Sequence, residues 1–539
     1  MSELWCKDTA SIDSIDRRLH TVERSDSCVC LRMQRLQMAA LSFLLHVSLA
    51  TSQDSLRVMD CVERLLRNDP QLRVQRTLLD QQQGAVAQAG APFDLSTQLG
   101  LQASRDYTPL VSPLGIVFPT VTSGQYSVGL SQLLSLGATV SLNTGVQSQD
   151  ITSDSVQDTR LQNRGFVSLN VNVPLLRNRG SIGERSALQG AVLELEAVRS
   201  DVLQSVNVRV TDVLTAYLDL WYNHRLLLMA QEMEERADRT RRDVEEYVKS
   251  DRRPASDLRQ AESNWLSRSR DRIAARQSLA ASYAQLLLVM GDSLPSSIVP
   301  PVPATVPMSF DNAVADGIDG VVLQRVALER RPDIRGLALR RQSSRMMLLA
   351  AQQRLEPQLA LGGTLGTNGF NYETSTSRFL TALTSNSTPM NATVRLDWRL
   401  PVQNSQALGE LQVQQAAFDR SSIQEQDNIR SITINSRLAV ERLREAQERL
   451  AISRRHVDIA TAVLADEELR MKAGTSTLVD LGAMQDDLVS ARIGLYTARR
   501  DVASAIIQLR FLASMFFRDN GETLSFDETS LYDLSELTR

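Results

Sequence analysis

The sequence contains few cysteines, histidines and aromatic residues, and these shortages exclude several classes of protein. Its 539 residues include four cysteines, too few and too clustered for a disulfide framework or a zinc site. The chain has only four histidines and an aromatic content of 5%. It also lacks Gly-rich phosphate loops, zinc-binding spacings and nucleophile elbows. The sequence therefore predicts that the protein is not an enzyme and binds no cofactor or metal.

The cysteines lie near the start of the chain. Cys6, Cys28 and Cys30 precede residue 33, and no cysteine follows Cys61. This distribution suits a protein that matures in an oxidising compartment, but it equally suits a chain that is simply poor in cysteine. The net charge of -4, without a basic stripe, excludes nucleic acid as a partner.

Residues 33–50 have the pattern of a secretory signal peptide. A short basic segment, 33–37, precedes the apolar run 38–49, and Ser48-Leu49-Ala50 fits a small-x-small cleavage site. The run is too short to span a membrane, and a buried helix is the alternative interpretation. Because residues 1–32 are polar, we expect translation to start at Met33 or Met38 and the mature chain to begin near residue 51.

Two copies of one unit follow, and their heptad patterns stay in phase at an offset of 223 residues. In the later copy the series is Leu481, Leu488, Leu495, Val502 and Leu509, with Met484, Ala491, Ala498 and Ala505 three positions after the first four. In the earlier copy it is Leu258, Trp265, Arg272, Leu279 and Leu286, with Ala261, Arg268, Ala275 and Ser282. In the preceding helices, Val206, Val213, Leu220 and Leu227 correspond to Ile429, Ser436, Leu443 and Leu450. A seven-residue apolar period predicts helices that coil around partners.

The helices that precede these series are predicted to be unusually long. Residues 181–248 and 405–472 contain no proline and few glycines. At 1.5 Å per residue each helix would run roughly 100 Å, too long to be covered by a compact domain. A coiled coil, a rod or a tube is therefore favoured over an ordinary helix bundle.

Short segments with a period of two residues precede each long helix. Alternation of apolar with small or polar residues occurs at 98–104, 126–131, 138–143, 166–173, 358–362 and 392–398. Such segments fit the wall of a barrel with lipid outside and water inside, although an amphipathic soluble sheet would look the same. Residues 105–125 and 368–390, which are rich in Ser, Thr, Asn, Gly and Pro, are predicted to be exposed loops.

These patterns divide the chain into five parts. Residues 1–50 form an N-terminal extension and signal peptide, 51–293 the first repeat, 294–318 a Pro-rich linker, 319–514 the second repeat and 515–539 an acidic tail. The predicted fold is mainly α with a β-barrel part, in which each repeat supplies strands and a long helical hairpin.

From about residue 55 to 514 the chain resembles the TolC-like outer-membrane efflux proteins. Asn68-Asp69-Pro70 and Arg331-Pro332-Asp333 resemble the helix signature that occurs once per repeat of that family, and Pro174-Leu175-Leu176-Arg177 resembles its strand-to-helix turn. The most specific stretch is 472–481, which includes Gly474 and Asp480 and is similar to the hairpin turn at the periplasmic tip of the family.

The resemblance implies a trimeric outer-membrane β-barrel continued by a periplasmic α-helical tunnel. Each protomer would give four strands to a twelve-stranded barrel, a number from which the extra segment 126–146 departs. The implied function is a passive duct of a tripartite efflux or type I secretion system in the Gram-negative outer membrane, in contact with lipid. Its partners would be a periplasmic adaptor protein and an inner-membrane transporter.

The family's periplasmic gate is carried over to the hairpin tips. Asp480 and Asp257 match acidic positions that would ring the entrance, although either could instead be a carboxylate that favours the helix dipole. The family's tyrosine and arginine latch positions fall on Met471 and Ser476, so the polar latch is largely missing. The hairpin turns are expected at Gly474 in the second repeat and at Asp251 and Pro254 in the first.

Two other classes of protein remain as alternatives. A periplasmic adaptor also has a helical hairpin, but usually one per chain. A cytosolic structural coiled-coil protein would lack both the strand segments and the export sequence. The two in-phase hairpins favour the duct.

Overall fold

The computed structural model describes residues 55–107, 110–112, 115–117, 120–153, 156–293, 299–304, 318–372, 374, 378–516, 518–519 and 524–525. The predicted signal peptide, most of the Pro-rich linker and most of the acidic tail lie outside these residues. Cys6, Cys28 and Cys30 also lie outside them.

The described elements follow one another in two similar rounds. The helices are α1 (Val58–Asn68), α2 (Pro70–Gly90), α3 (Ile182–Lys249), α4 (Ala255–Met290), α5 (Gly320–Arg330), α6 (Pro332–Gln353), α7 (Arg378–Thr384), α8 (Ser405–Lys472) and α9 (Leu478–Leu512). The strands are β1 (Ser96–Tyr107), β2 (Leu110–Ser112), β3 (Gly115–Val117), β4 (Thr120–Leu133), β5 (Thr139–Ser153), β6 (Val156–Pro174), β7 (Gln358–Asn371), β8 (Asn391–Arg399), β9 (Arg518–Asp519) and β10 (Leu524–Ser525).

The internal repeat is confirmed by the long helices. Both α3 and α8 contain 68 residues, and they begin at Ile182 and Ser405, 223 positions apart. The following helices α4 and α9 begin at Ala255 and Leu478, again 223 positions apart. Each of the longer helices therefore runs about 100 Å, as the absence of proline predicted.

By their contacts the described residues fall into two units. The sheet unit comprises residues 77–200 and 335–426, and the helical unit comprises the described parts of 1–76, 201–334 and 427–539. In the helical unit the predicted heptad positions form the core. Val213, Leu220, Leu443, Val502 and Leu509 are all buried in clusters that join the helices of each hairpin.

The repeated Pro-containing signature anchors the short helices of the helical unit. Asp69 caps α2 by accepting a hydrogen bond from the Gln71 N–H at 3.0 Å, and its buried carboxylate pairs with Arg209 at 2.7 Å. In the second repeat Asp333 accepts hydrogen bonds from Arg331 at 2.7 and 3.0 Å. The two signatures thus place a carboxylate at the start of each repeat's second helix.

The sheet unit contains a six-stranded antiparallel sheet in the order β1-β4-β5-β6-β7-β8. All six segments predicted from alternation are strands of this sheet. The chain therefore contributes six strands, whereas the family resemblance implied four. The difference is the segment 126–146, which forms the hairpin of β4 and β5 within the sheet.

The sheet unit also contains four helical segments, which lie next to one another in the order α2-α3-α6-α8. Gln82 of α2 donates to the Ala191 carbonyl of α3 at 3.4 Å, and Ser343 of α6 donates to the Gly190 carbonyl at 2.9 Å. Arg354, just after α6, pairs with Glu410 of α8 at 3.6 Å.

The two predicted loops are shorter than the composition suggested. β1 runs to Tyr107 and β4 begins at Thr120, and a short β2–β3 ladder lies between them. In the second repeat β7 runs to Asn371, and the helix α7 packs on β6 and β7. Gly165 makes room for α7, because a Cβ there would lie 2.7 Å from the Ala382 carbonyl oxygen. Ser, Thr and Gly are common in loops, but here they pair as strands.

The Asp333 carboxylate should make stability depend on pH. Burial opposes its ionisation, but the hydrogen bonds and charge of Arg331, with donors from Asn428 and the Ile334 N–H, outweigh burial and hold the Asp333 pKa below its usual range. A lowered pKa in the folded state stabilises the fold above the unfolded-state pKa of about 3.9, and this contribution disappears as the pH falls through the folded-state pKa.

We therefore expect Asp333→Asn to lower the free energy of unfolding by about 1.5–3 kcal/mol at pH 7, the usual contribution of a hydrogen bond to a charged group. The deficit should shrink as the pH falls below about 4. Chemical denaturation followed by circular dichroism at several pH values measures both effects. Asp427→Asn is the matched control, because the Asp427–Arg430 pair is exposed and should contribute little. An equal deficit at pH 7 and pH 3 would contradict this assignment.

Candidate functional site

The candidate gate lies in the turns of the two helical hairpins, both in the helical unit. The first turn joins α3 to α4 over 250–254, and the second joins α8 to α9 over 473–477. Asp251 and Gly474, which are 223 positions apart, both have left-handed backbones, with φ values of 56° and 76°. The two turns therefore have the same geometry, and Asp251 adopts the conformation that glycine adopts more easily.

The start of each second helix carries the predicted aspartate. Thr477 caps α9, and it forms a capping box with Asp480, whose N–H donates to the Thr477 hydroxyl at 3.2 Å while its carboxylate accepts from the Thr477 N–H at 3.2 Å. In the first repeat Pro254 is the N-cap of α4 and therefore lies just before the first helical turn, which begins at Ala255. Asp257 pairs with Arg253 at 3.5 Å. The Asp480 carboxylate therefore caps the start of α9, in addition to the gate role predicted for it.

The two predicted latch positions have different partners. The Met471 sulfur accepts a hydrogen bond from Arg253 at 3.3 Å, which joins the second hairpin to the first. Ser476 donates instead to Glu467 within its own hairpin. Arg253 thus contacts both Asp257 and Met471, whereas Ser476 and Asp480 form hydrogen bonds within their own hairpin.

Arg253 was missed in the sequence because no family motif marks it. The basic run of Lys249, Arg252 and Arg253 was visible, but a short charged run in a turn usually indicates a solvated surface. Only the folded turn distinguishes Arg253, which is partly buried, from the exposed Arg252.

The distal halves of the two hairpins are held together by different forces. In the second hairpin Leu464, Leu481, Leu488 and Ala491 form a buried apolar cluster, with Met471 packed against it. In the first hairpin Arg268 stands where the repeat would place Ala491. It forms ion pairs with Asp486 of α9 and with Asp271, the latter at 3.5 Å. The first hairpin therefore has ion pairs at a position where the second has apolar packing.

The sheet has one apolar and one polar face. Exposed large apolar side chains on one face are Leu99, Leu101, Tyr126, Val128, Leu130, Leu142, Val167, Leu169, Leu361, Leu365, Val394, Leu396 and Trp398. The opposite face carries small or polar residues, among them Gln98, Gln102, Ser127, Ser131, Ser141, Asn143, Ser168, Asn170, Thr364, Asn368 and Thr393. A soluble protein would bury the apolar face, but here it is exposed over six strands.

No described helix contains an 18-residue stretch apolar enough to cross a bilayer. In the described part of the chain, no three His, Cys, Asp or Glu side chains are grouped as a metal site requires. His224 lies on α3, where burial and the charge of Arg225 lower its pKa, and His456 lies on α8 close to Asp487.

Part of the chain matches a known protein family. Residues 323–514 match the family described as outer membrane efflux protein. No curated protein matches the chain by sequence.

Several solved structures share the fold at low sequence identity. The outer-membrane channel CmeC of Campylobacter jejuni is 13% identical, with 95% of this chain and 98% of that chain covered and a TM-score of 0.61. The outer membrane protein VceC from Vibrio cholerae is 15% identical, with coverages of 85% and 95% and a TM-score of 0.59. A membrane protein from Pseudomonas aeruginosa is 14% identical, with coverages of 85% and 92% and a TM-score of 0.62.

The contact of Arg253 with Met471 predicts that the two hairpin tips are coupled. We expect Arg253→Ala to raise the rate of amide hydrogen exchange in the 469–477 turn of the other hairpin. Loss of about 1 kcal/mol, typical of a single hydrogen bond, corresponds to an increase of about fivefold. Hydrogen exchange with mass spectrometry measures this rate, and Arg252→Ala is the matched control. Equal exchange in the two variants would show that the tips are independent.

Proposed function

We infer that this chain, a member of the TolC-like outer membrane efflux protein family, is a passive duct across the outer membrane and the periplasm. The observation that carries this inference is the two-faced sheet joined directly to long helical hairpins. Its apolar face suits lipid, and its polar face suits a water-filled lumen. The matched family and the solved structures are efflux and channel proteins rather than enzymes.

The two edges of the sheet support a closed barrel made from several copies. Among the described residues β1 and β8 each pair with a strand on one side only, so each presents a row of backbone groups with no strand beside it. Within lipid such groups must be paired, because no water is available to them. We propose that β8 of one copy pairs with β1 of the next and that three copies close the ring.

The long helices of the second repeat support the same assembly. Large apolar side chains remain exposed on α8 at a seven-residue spacing, including Leu438, Ile452 and Ile459. Heptad positions that stay exposed in one chain need a neighbouring helix to cover them. We propose that helices of adjacent protomers pack here and continue the barrel as a tunnel.

The energy for transport would come from partner proteins. The sequence has no phosphate-binding loop, so nucleotide hydrolysis would take place elsewhere. We propose that a periplasmic adaptor and an inner-membrane transporter deliver the cargo to the hairpin tips. An adaptor identity for this chain is disfavoured by its six-stranded two-faced sheet.

The gate of the duct is proposed to lie at the hairpin tips. Asp480 and Asp257 would provide the acidic ring, and Met471 with the adjoining apolar cluster would replace the family's polar latch. The ion pair with Arg253 partly neutralises the negative charge of Asp257. Asp480 would therefore dominate the charge at the entrance.

The assembly predicts where the protein is found and how it migrates. We expect the full chain to be recovered in the outer-membrane fraction as a trimer whose mobility on a denaturing gel increases after boiling, since a closed barrel resists detergent. Cell fractionation and gels of boiled and unboiled samples test this, with an inner-membrane marker as the control. Recovery as a soluble monomer would overturn the proposed function.

The acidic entrance predicts cation selectivity that depends on Asp480. In water, a carboxylate about 7 Å from a passing ion favours a cation and disfavours an anion by about 0.6 kcal/mol each. Asp480→Asn should therefore lower the cation-to-anion permeability ratio about sevenfold. Reversal potentials in planar bilayers measure this ratio. Asp257→Asn is the matched comparison and should have a smaller effect, because Arg253 pairs with that carboxylate. An unchanged ratio in Asp480→Asn would remove Asp480 from the gate.

A further inference from the structure

The β4–β5 hairpin is the part of the sheet that the two-repeat plan does not require. Each of the other four strands adjoins in sequence a helix of its repeat. β1 follows α2, β6 precedes α3, β7 follows α6 and β8 precedes α8. The hairpin has no helix of its own. It turns over 134–138, where Gly137 has a left-handed φ of 97°, and lies between β1 and β6.

This hairpin pairs with the sheet along its whole length. β1 and β4 are in register from Ser96↔Ser131 to Tyr107↔Thr120, and β4 and β5 from Thr120↔Thr152 to Leu133↔Thr139. β5 then pairs with β6, including Leu142↔Leu169 and Asn143↔Ser168. The hairpin is therefore continuous with the sheet on both sides.

The hairpin also has the same two faces as the rest of the sheet. Its apolar face carries Tyr126, Val128, Leu130, Val140 and Leu142, in line with Leu101 of β1 and Leu169 of β6. A hairpin that projected into water would not need an apolar stripe that matches its neighbours. The pattern indicates that β4 and β5 contact lipid over the same band as β1 and β6.

We propose that β4 and β5 are wall strands, so that the duct opens through an eighteen-stranded barrel and admits bulkier hydrated cargo than a twelve-stranded barrel could. This proposal rests on the trimeric duct proposed above. Barrel diameter grows roughly in proportion to strand number, so the barrel would be about 1.5 times as wide as one with four strands per protomer at the same tilt.

The four helical segments of the sheet unit are consistent with this width. Packed helices lie about 8–10 Å apart, so four of them occupy an arc of about 32–40 Å. Strands are about 4.8 Å apart, and a tilt near 40° widens this to about 6.3 Å along the circumference. Six strands then occupy about 38 Å, whereas four occupy only about 25 Å. Six strands match the arc of the four helices.

The polar face of the added strands is uncharged over most of its length, whereas β8 carries Arg395, Asp397 and Arg399 on the same face of the sheet. From Val121 to Leu133 of β4, from Thr139 to Gln149 of β5 and along β7, the described polar face contains no Asp, Glu, Lys or Arg. Ser, Thr, Gln, Asn and Gly predominate, and these residues hydrogen-bond water without attracting either sign of ion. The lumen there would suit large neutral or mixed-charge solutes in their hydration shells.

The first test asks whether the hairpin contacts lipid. Single cysteines at Leu142→Cys and Leu169→Cys, which face each other across β5 and β6, carry a small fluorophore in vesicles that contain brominated phosphatidylcholine. Cys6, Cys28 and Cys30 are replaced by serine. Cys61 can stay, because it is fully buried and burial, the largest influence, raises its pKa to about 12, so its thiol should not react.

We expect the brominated lipid to quench both labels to the same extent. Quenching at Leu169→Cys but not at Leu142→Cys would overturn the wide barrel and leave the duct intact. Quenching at neither position would contradict the proposed function as well.

The second test measures the width of the lumen independently of the gate. Asn170→Cys, on the polar face of β6, is labelled from the extracellular side with polyethylene glycol maleimides of increasing size. The same position is labelled in a variant that lacks 120–153, in which β1 leads directly to β6 through the remaining loop. We expect the largest reacting polymer to be about 1.5 times greater in radius for the full chain. Equal cut-offs would overturn the proposal, and if the deletion variant does not assemble, the quenching result decides.

Discussion

A strand inside a bilayer has no water with which its free backbone N–H and C=O groups can pair, and the architecture follows from that constraint. In the part of the chain that the structure describes, the sheet ends in β1 and β8, each paired with a strand on one side only. An open edge in lipid costs several kcal/mol for each unpaired group, and in the proposed assembly the edges pair between neighbouring copies. The exposed heptad positions of α8 impose the same requirement in water. One chain is thus incomplete in both solvents, because polar backbone groups lack partners in lipid and apolar side chains lack cover in water.

The two repeats share a backbone but differ in how they are held together. α3 and α8 are equal in length, and both tip turns contain a left-handed residue. The second hairpin is closed by apolar packing, whereas the first carries Arg268 and Arg272 at positions that correspond to Ala491 and Leu495. Apolar packing loses contact area as soon as the surfaces separate. Arg268 and Arg272, which are partly buried, instead pair with Asp486 of α9 and Glu234 of α3. The two hairpins therefore use different interactions at equivalent positions of the repeat.

The long helices could be predicted from the sequence, because a heptad repeats many times and single exceptions to the pattern do not hide it. The six strands were also found by alternation, but their lengths were not. Segments around Ser123 and Asn368 resemble loops in composition, since a lumen-facing position and an exposed turn favour the same small polar residues. The role of Arg253 could not be inferred, because its partner Met471 lies 218 positions away and no period relates the two. Contacts that repeat are visible in sequence, and single long-range contacts are not.

The added hairpin also explains how such a sheet can grow without disturbing the helices. Antiparallel strands alternate in direction, so inserting one strand after β1 would reverse β6 and send α3 to the wrong side of the membrane. Inserting two restores the direction of β6 and keeps its side chains on the correct faces, as the unbroken apolar stripe from Leu101 through Tyr126 and Leu142 to Leu169 demonstrates. The turn of the inserted hairpin lies close to the start of α3, because a Cβ at Gly137 would lie 2.8 Å from the Gly180 nitrogen. Barrel width can therefore increase only by whole hairpins.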